Sequence, residues 1–213
     1  MFQTDPMMPK RQGREIPLTP SDEQCSAWIQ AFGAVLSLIA ILFLQEWGEV
    51  HLQIYAVTLF CLYSYSAVYH FIPSIQKNPQ WQLLAQSTHF LLLAGTYTPF
   101  ASSLPSDMGT PLIMVVWALG ILGAIFRAVL GNRVRVINVL ITLSMVLLIL
   151  FFAQPLLSVF ILAQMQWMVL GGLSYVLAVF FKMMRKYPYS HSAWHLCSLF
   201  GAFFLFISAY MGL

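Results

Sequence analysis

Long apolar runs separated by short polar breaks organise the whole chain. Seven runs reach the roughly 20 mostly apolar residues that a helix needs to cross a bilayer: residues 26–46, 51–72, 80–104, 111–130, 134–153, 156–181 and 190–212. The breaks carry turn chemistry: Pro73, Asn78 and Pro79; Pro105, Ser106, Asp107 and Gly109; Gly131, Asn132 and Arg133; Gln154 and Pro155; Tyr187 and Pro188. The runs are continuous and lack a two-residue alternation, so they predict helices and not barrel strands. The expected fold is an all-α membrane protein, a seven-helix transmembrane bundle over residues 26–213. A polar tail, residues 1–25, precedes it, with Pro6, Pro9, Pro17 and Pro20 and no apolar stretch of the kind a cleavable signal peptide carries.

Composition agrees with the pattern. The chain is 60% hydrophobic and 8% charged, where a soluble domain has about a quarter of its residues charged. The 15% aromatic content suits interfacial belts. The net charge of +3 implies no nucleic-acid partner, because the basic residues sit in short loops between apolar runs. Cys25, Cys61 and Cys197 are scattered and odd in number, so they form no disulfide framework. Gly33, Gly95, Gly120, Gly123, Gly171, Gly172 and Gly201 read as close-packing positions between helices.

Charge sets an orientation. Lys10, Arg11, Arg14, Lys77, Arg127, Arg133, Arg135, Lys182, Arg185 and Lys186 all fall on one side of a seven-crossing chain, whereas the other side has Glu46, Glu49 and Asp107. The positive-inside rule puts the N-terminus in the cytoplasm and the C-terminus outside.

Ionisable residues at membrane depth are functional suspects, and three histidines stand out. His70 lies just inside the cytoplasmic end of the second run, and His191 and His195 open the seventh. At 1.5 Å per residue all three fall within roughly 8 Å of one boundary. The i, i+4 spacing of His191 and His195 puts them on one helical face with Cβ atoms about 5–6 Å apart. Such a pair alone serves equally to face headgroups. A third imidazole at the same depth turns the reading to a metal site, three histidines with an open fourth position, the pattern of catalytic zinc. His51 opens the second run on the opposite side and reads as a solvated helix-start residue.

Three blocks carry a family resemblance: Ser66-Ala67-Val68-Tyr69-His70, Ala94-Gly95-Thr96-Tyr97-Thr98-Pro99-Phe100 and His191-Ser192-Ala193-Trp194-His195-Leu196. They resemble, in order, the second-, third- and seventh-span blocks of the hemolysin III family, the bacterial branch of the progestin and adipoQ receptor superfamily. The resemblance implies a seven-helix bundle with a cytoplasmic N-terminus, in a bacterial inner membrane. It also implies zinc held by His70, His191 and His195, with Ser66 lining the site one turn deeper. Some relatives are associated with hydrolysis of a lipid amide, others are named as receptors, and the bacterial branch as hemolysins.

One position departs from the pattern. The family carries an aspartate ten residues before the glycine of the third-span block, and here that position is Ala85. Asp22 and Glu23, just ahead of the first run, are then the acids nearest the cytoplasmic mouth. His89, four residues after Ala85 and about 6 Å deeper, has three readings: a fourth ligand closing the site, a neutral base, or a histidine hydrogen-bonded to a neighbouring helix. Its depth favours the last. Three functions follow as expectations: a zinc-dependent hydrolase of a lipid amide or ester, with activity weakened by the missing acid; a non-enzymatic receptor, lipid sensor or scaffold with structural zinc; and a pore-former. Pores need polar stripes on several spans, which these runs lack, so the third ranks last. Membrane lipid is the expected partner.

Overall fold

The computed structural model describes residues 19–46, 48–131, 135–184 and 187–212. Among them the regular elements are all helices: α1 (Pro20–Gln45), α2 (Val50–Phe71), the single turn α3 (Pro73–Gln76), α4 (Pro79–Ser102), α5 (Ser106–Leu130), α6 (Arg135–Phe151), α7 (Ala153–Val159), α8 (Leu162–Met183) and α9 (Ser190–Tyr210). Most of the polar tail expected over residues 1–25 lies outside the described residues. Its last stretch is helical, because Thr19 caps α1: its hydroxyl accepts from the Asp22 backbone N–H at 3.2 Å. Pro20 fills a first-turn position that needs no N–H, and Asp22 and Glu23 sit at the positive end of the helix dipole.

Five helices, α1, α2, α5, α8 and α9, are long and apolar enough to cross a membrane, and α6 with α7 makes a sixth candidate bent by 50°. The run expected at 80–104 forms the 24-residue α4. Gln80, Gln82, Gln86, Ser87, Thr88 and His89 make its first half too polar for that group. The run expected at 156–181 is not one helix. Its first residues belong to α7, and the chain extends at Phe160 (ψ 136°) before α8 begins at Leu162. The Phe160 ring is buried and sits 5.8 Å from that of Phe100, which anchors the reversal to α4.

Around the bundle, α8 lies along α9, α9 along α1, α1 along α2, α2 along α4, α4 along α5 and α5 along α6. The polarity is inverted relative to a soluble domain. On α1 the buried face holds Asp22, Ser26, Gln30 and Ser37, while Trp28, Phe32, Val35, Ile39 and Leu42 point outward and exposed. Lipid solvates those apolar side chains, and the polar ones must find partners between helices.

The third-span block is a packing block. A Cβ on Gly95 would overlap the Thr58 side chain of α2, so only glycine lets α4 approach that closely. The Tyr97 hydroxyl donates to the Met145 carbonyl of α6, and Thr98 accepts from Trp117 Nε1 of α5 at 3.0 Å. Close packing also holds at Gly33 against Tyr63 and at Gly123 against Phe90, whereas Gly172 faces open space.

Candidate metal centre

His70 occupies the last turn of α2, and His191 and His195 occupy the first two turns of α9. The starts of α1 and α9 are tied together, and this tie places the pair. Tyr189, which precedes α9, has a left-handed φ of 59° and supplies no side-chain cap. The cap comes instead from α1: Asp22 Oδ1 accepts the Ser192 backbone N–H at 3.1 Å. The Ser192 hydroxyl lies against Asp22 as well, 2.9 Å from its carbonyl oxygen, and 3.1 Å from the Ser26 hydroxyl. A carboxylate at a helix N-terminus satisfies an otherwise orphaned donor and matches the dipole, whichever helix it comes from.

The three imidazoles converge. Ring centroids are 5.3 Å apart for His70 and His191, 5.0 Å for His70 and His195, and 4.5 Å for His191 and His195. One nitrogen of each lies within 4.8 Å of the others. His191 Nε2 and His195 Nε2 face each other at 3.1 Å, close to the edge of about 3.3 Å of a tetrahedron with bonds of about 2.0–2.1 Å. His70 and His195 are buried and His191 is half-buried.

Each buried imidazole is held from behind by α1. Glu23 Oε2 sits 2.6 Å from His70 Nδ1. Gln76 Nε2 approaches the same carboxylate oxygen at 3.4 Å and donates to the His70 carbonyl at 3.1 Å. Gln30 Nε2 sits 2.5 Å from His195 Nδ1. With both Nδ1 atoms engaged by α1, Nε2 is the nitrogen that His70 and His195 keep for a metal. Trp194 floors the site, its ring 4.3 Å from that of His195 and 5.2 Å from that of His191, with Lys182 Nζ 4.3 Å above the indole.

The other residues singled out in the sequence fall as follows. Ser66 lies one turn deeper than His70 on α2, half-buried. Ala85 is on α4, its carbonyl accepting from the Thr88 hydroxyl at 2.7 Å and lying 3.0 Å from His89 Nδ1. His89 is therefore bonded within its own helix, not to a neighbouring one, and stands outside the three-histidine group. His51 is exposed on a pocket of about 380 Å³ at the other end of the bundle, beside Glu49, Ser102 and Gln164. Sequence reading missed Gln30. Its signal was an amide inside the first apolar run, seven residues after Glu23 and so two turns along the same face.

Comparison with known proteins decides the family. The sequence model of the family described as "Haemolysin-III related" matches residues 19–206. The chain belongs to the haemolysin-III-related family. Among this family's curated members it is 28% identical over 197 residues to the "Hemolysin-3 homolog" of Bacillus subtilis (strain 168), covering 88% of this chain and 92% of that one. It is 29% identical over 194 residues to "Hemolysin-3" of Bacillus cereus, covering 87% of this chain and 89% of that one. This haemolysin-III-related chain is thus an integral, multi-pass, all-helical membrane protein with a three-histidine cluster able to hold a metal ion.

Proposed function

We propose that the protein is a seven-span bundle of a bacterial plasma membrane, N-terminus in the cytoplasm, whose three histidines bind zinc and hydrolyse a lipid amide or ester. One observation carries the reading: three imidazole nitrogens converge within 4.8 Å, and no fourth histidine, cysteine or carboxylate among the described residues joins the group. Three neutral nitrogens suit zinc, and a three-protein-ligand set leaves a coordination position for substrate or water. Zinc held there supplies Lewis acidity, polarising a carbonyl and acidifying water.

The chain's own residues do the rest. His70, His191 and His195 would hold the ion. Ser66, half-buried one turn below His70, would donate its hydroxyl to a substrate carbonyl oxygen. The apolar outer faces of the helices are solvated by lipid, which makes a lipid the substrate class most available to the protein.

A second reading rests on Ala85, which puts a methyl where the family resemblance implies an acid. In that reading zinc ties α2 to α9 in a receptor, sensor or scaffold, and no turnover follows. Purified protein in nanodiscs separates the two. Elemental analysis is expected to give one zinc per chain, lost in His195→Ala. Wild type should hydrolyse amide- or ester-linked lipids, and Ala85→Asp should raise that rate. Bound zinc without turnover in wild type or Ala85→Asp assigns the structural role, and no bound zinc removes both readings.

A further inference from the structure

The α1 face opposite the histidines has no assigned role, yet it contacts two of the three. Glu23 and Gln30 are seven residues apart, so they share a face two turns long, and each meets an Nδ1 atom. The two partners differ chemically. An ionised carboxylate only accepts, while an amide presents either an acceptor oxygen or a donor N–H₂. The Gln30 side chain is 4% exposed, and its Oε1 is buried without a partner.

We infer that Glu23 and Gln30 are positioning residues that set the tautomers of the histidines. Glu23 locks His70, and Gln30 switches His195 between a metal-free and a metal-ready form. The inference rests on the zinc reading above.

At His70 the logic is simple. An ionised carboxylate has no proton to give, so its oxygen 2.6 Å from Nδ1 pairs with a proton on that nitrogen. The Nε2 lone pair then points away from α1 and is ready for a metal, with or without one bound. The carboxylate also raises the basicity of the imidazole as a ligand. A carboxylate on α1 thus stands behind one of the three histidines.

At His195 the Gln30 amide sits 2.5 Å from Nδ1 and can serve either tautomer, its N–H₂ donating to a bare Nδ1 or its Oε1 accepting from Nδ1–H. With the amide N–H₂ toward a bare Nδ1, the ring proton lies on Nε2, which faces His191 Nε2 at 3.1 Å. Were His195 to hold a metal through Nε2, its ring proton would sit on Nδ1. Gln30 must then turn its amide over, so that Oε1 accepts from Nδ1–H. An amide accomplishes this by one side-chain rotation, without moving α1 or α9. A glutamate at position 30 would enforce the metal-ready tautomer permanently, and a leucine would enforce neither.

The opposite signs expected at position 30 provide the test. Zinc affinity is read by chelator competition on full-length protein in nanodiscs, and the ligand field by the visible spectrum of the cobalt-substituted form. Glu23→Gln should weaken zinc binding by about 10–100-fold, the usual cost of losing an outer partner of a metal-bound histidine, with Glu23→Asp recovering part of it. Gln30→Leu should weaken binding similarly, and Gln30→Glu should leave it equal or tighter. A purely structural role for Gln30 predicts that both substitutions weaken binding, since both disturb the same buried packing. The inference is overturned if wild type binds zinc and Gln30→Glu loses as much affinity as Gln30→Leu. It is equally overturned if Glu23→Gln changes affinity by less than about threefold, well below the range for such partners. Should Glu23→Gln fail to accumulate, the position 30 pair decides alone. Wild type that binds no zinc overturns the zinc reading, and this inference falls with it.

Discussion

Single side chains around the histidine cluster divide by what their polar atoms already do. His89 is the clearest case. Its Nδ1 lies 3.0 Å from the carbonyl of Ala85 in its own helix, and the ring stays outside the three-histidine group. His89→Ala is therefore expected to leave zinc affinity within about twofold in the chelator assay, because only removal of a ligand or its partner costs tenfold or more. A tenfold loss would make His89 a fourth ligand and the site a closed one. Glu23 and Asp22 are adjacent in sequence but serve different helices: Glu23 reaches His70 on α2, and Asp22 reaches Ser192 on α9. Their side chains point about 100° apart on the helix, the angle of one residue step at 3.6 residues per turn. That divergence lets one turn of α1 hold two partners at once.

Among the elements, α1 acts as the strut of the site. It packs along α2 and α9, and among the described residues its polar face makes the hydrogen bonds between α1 and α9. Asp22 carries the joint, since α9 begins on a left-handed Tyr189 without a side-chain cap of its own. Asp22→Ala should lower stability by about 1–2 kcal/mol, the upper part of the range for a lost helix cap, because the donor it strands is buried. The measurement is the melting temperature of the metal-free protein. An unchanged melting temperature would show that α9 starts there without help from α1. The α4 block Gly95, Tyr97 and Thr98 does a different job, fastening α4 to α2, α6 and α5 through close approach and two hydrogen bonds. It shares a family resemblance with the histidine blocks but not their chemistry.

At the scale of the whole molecule, the histidines lie at one end of the bundle, at the close of α2 and the opening of α9, while His51 and Glu49 lie at the other. Basic residues gather in the loops of the histidine end, so that end should face the cytoplasm. In a cysteine-free background, Lys77→Cys should react with a membrane-impermeant maleimide only after cells are broken, and Ser106→Cys should react on intact cells. The reverse result would invert the orientation. The sequence by itself determined the helical class, the membrane setting and the histidine cluster, since long apolar runs and rare polar residues inside them are written locally in the chain. It also marked Asp22 and Glu23 as the acids near the mouth. The run at 156–181 is divided in the structure at Phe160, where extended backbone and a buried ring separate α7 from α8. Only the tertiary structure decided that Glu23 stands behind His70, that Asp22 caps a helix 170 residues away, and that Gln30 meets His195. Hydropathy records whether a side chain is buried between helices. Which partner it meets there depends on how α1, α2 and α9 pack, and that information is not local to any one of them.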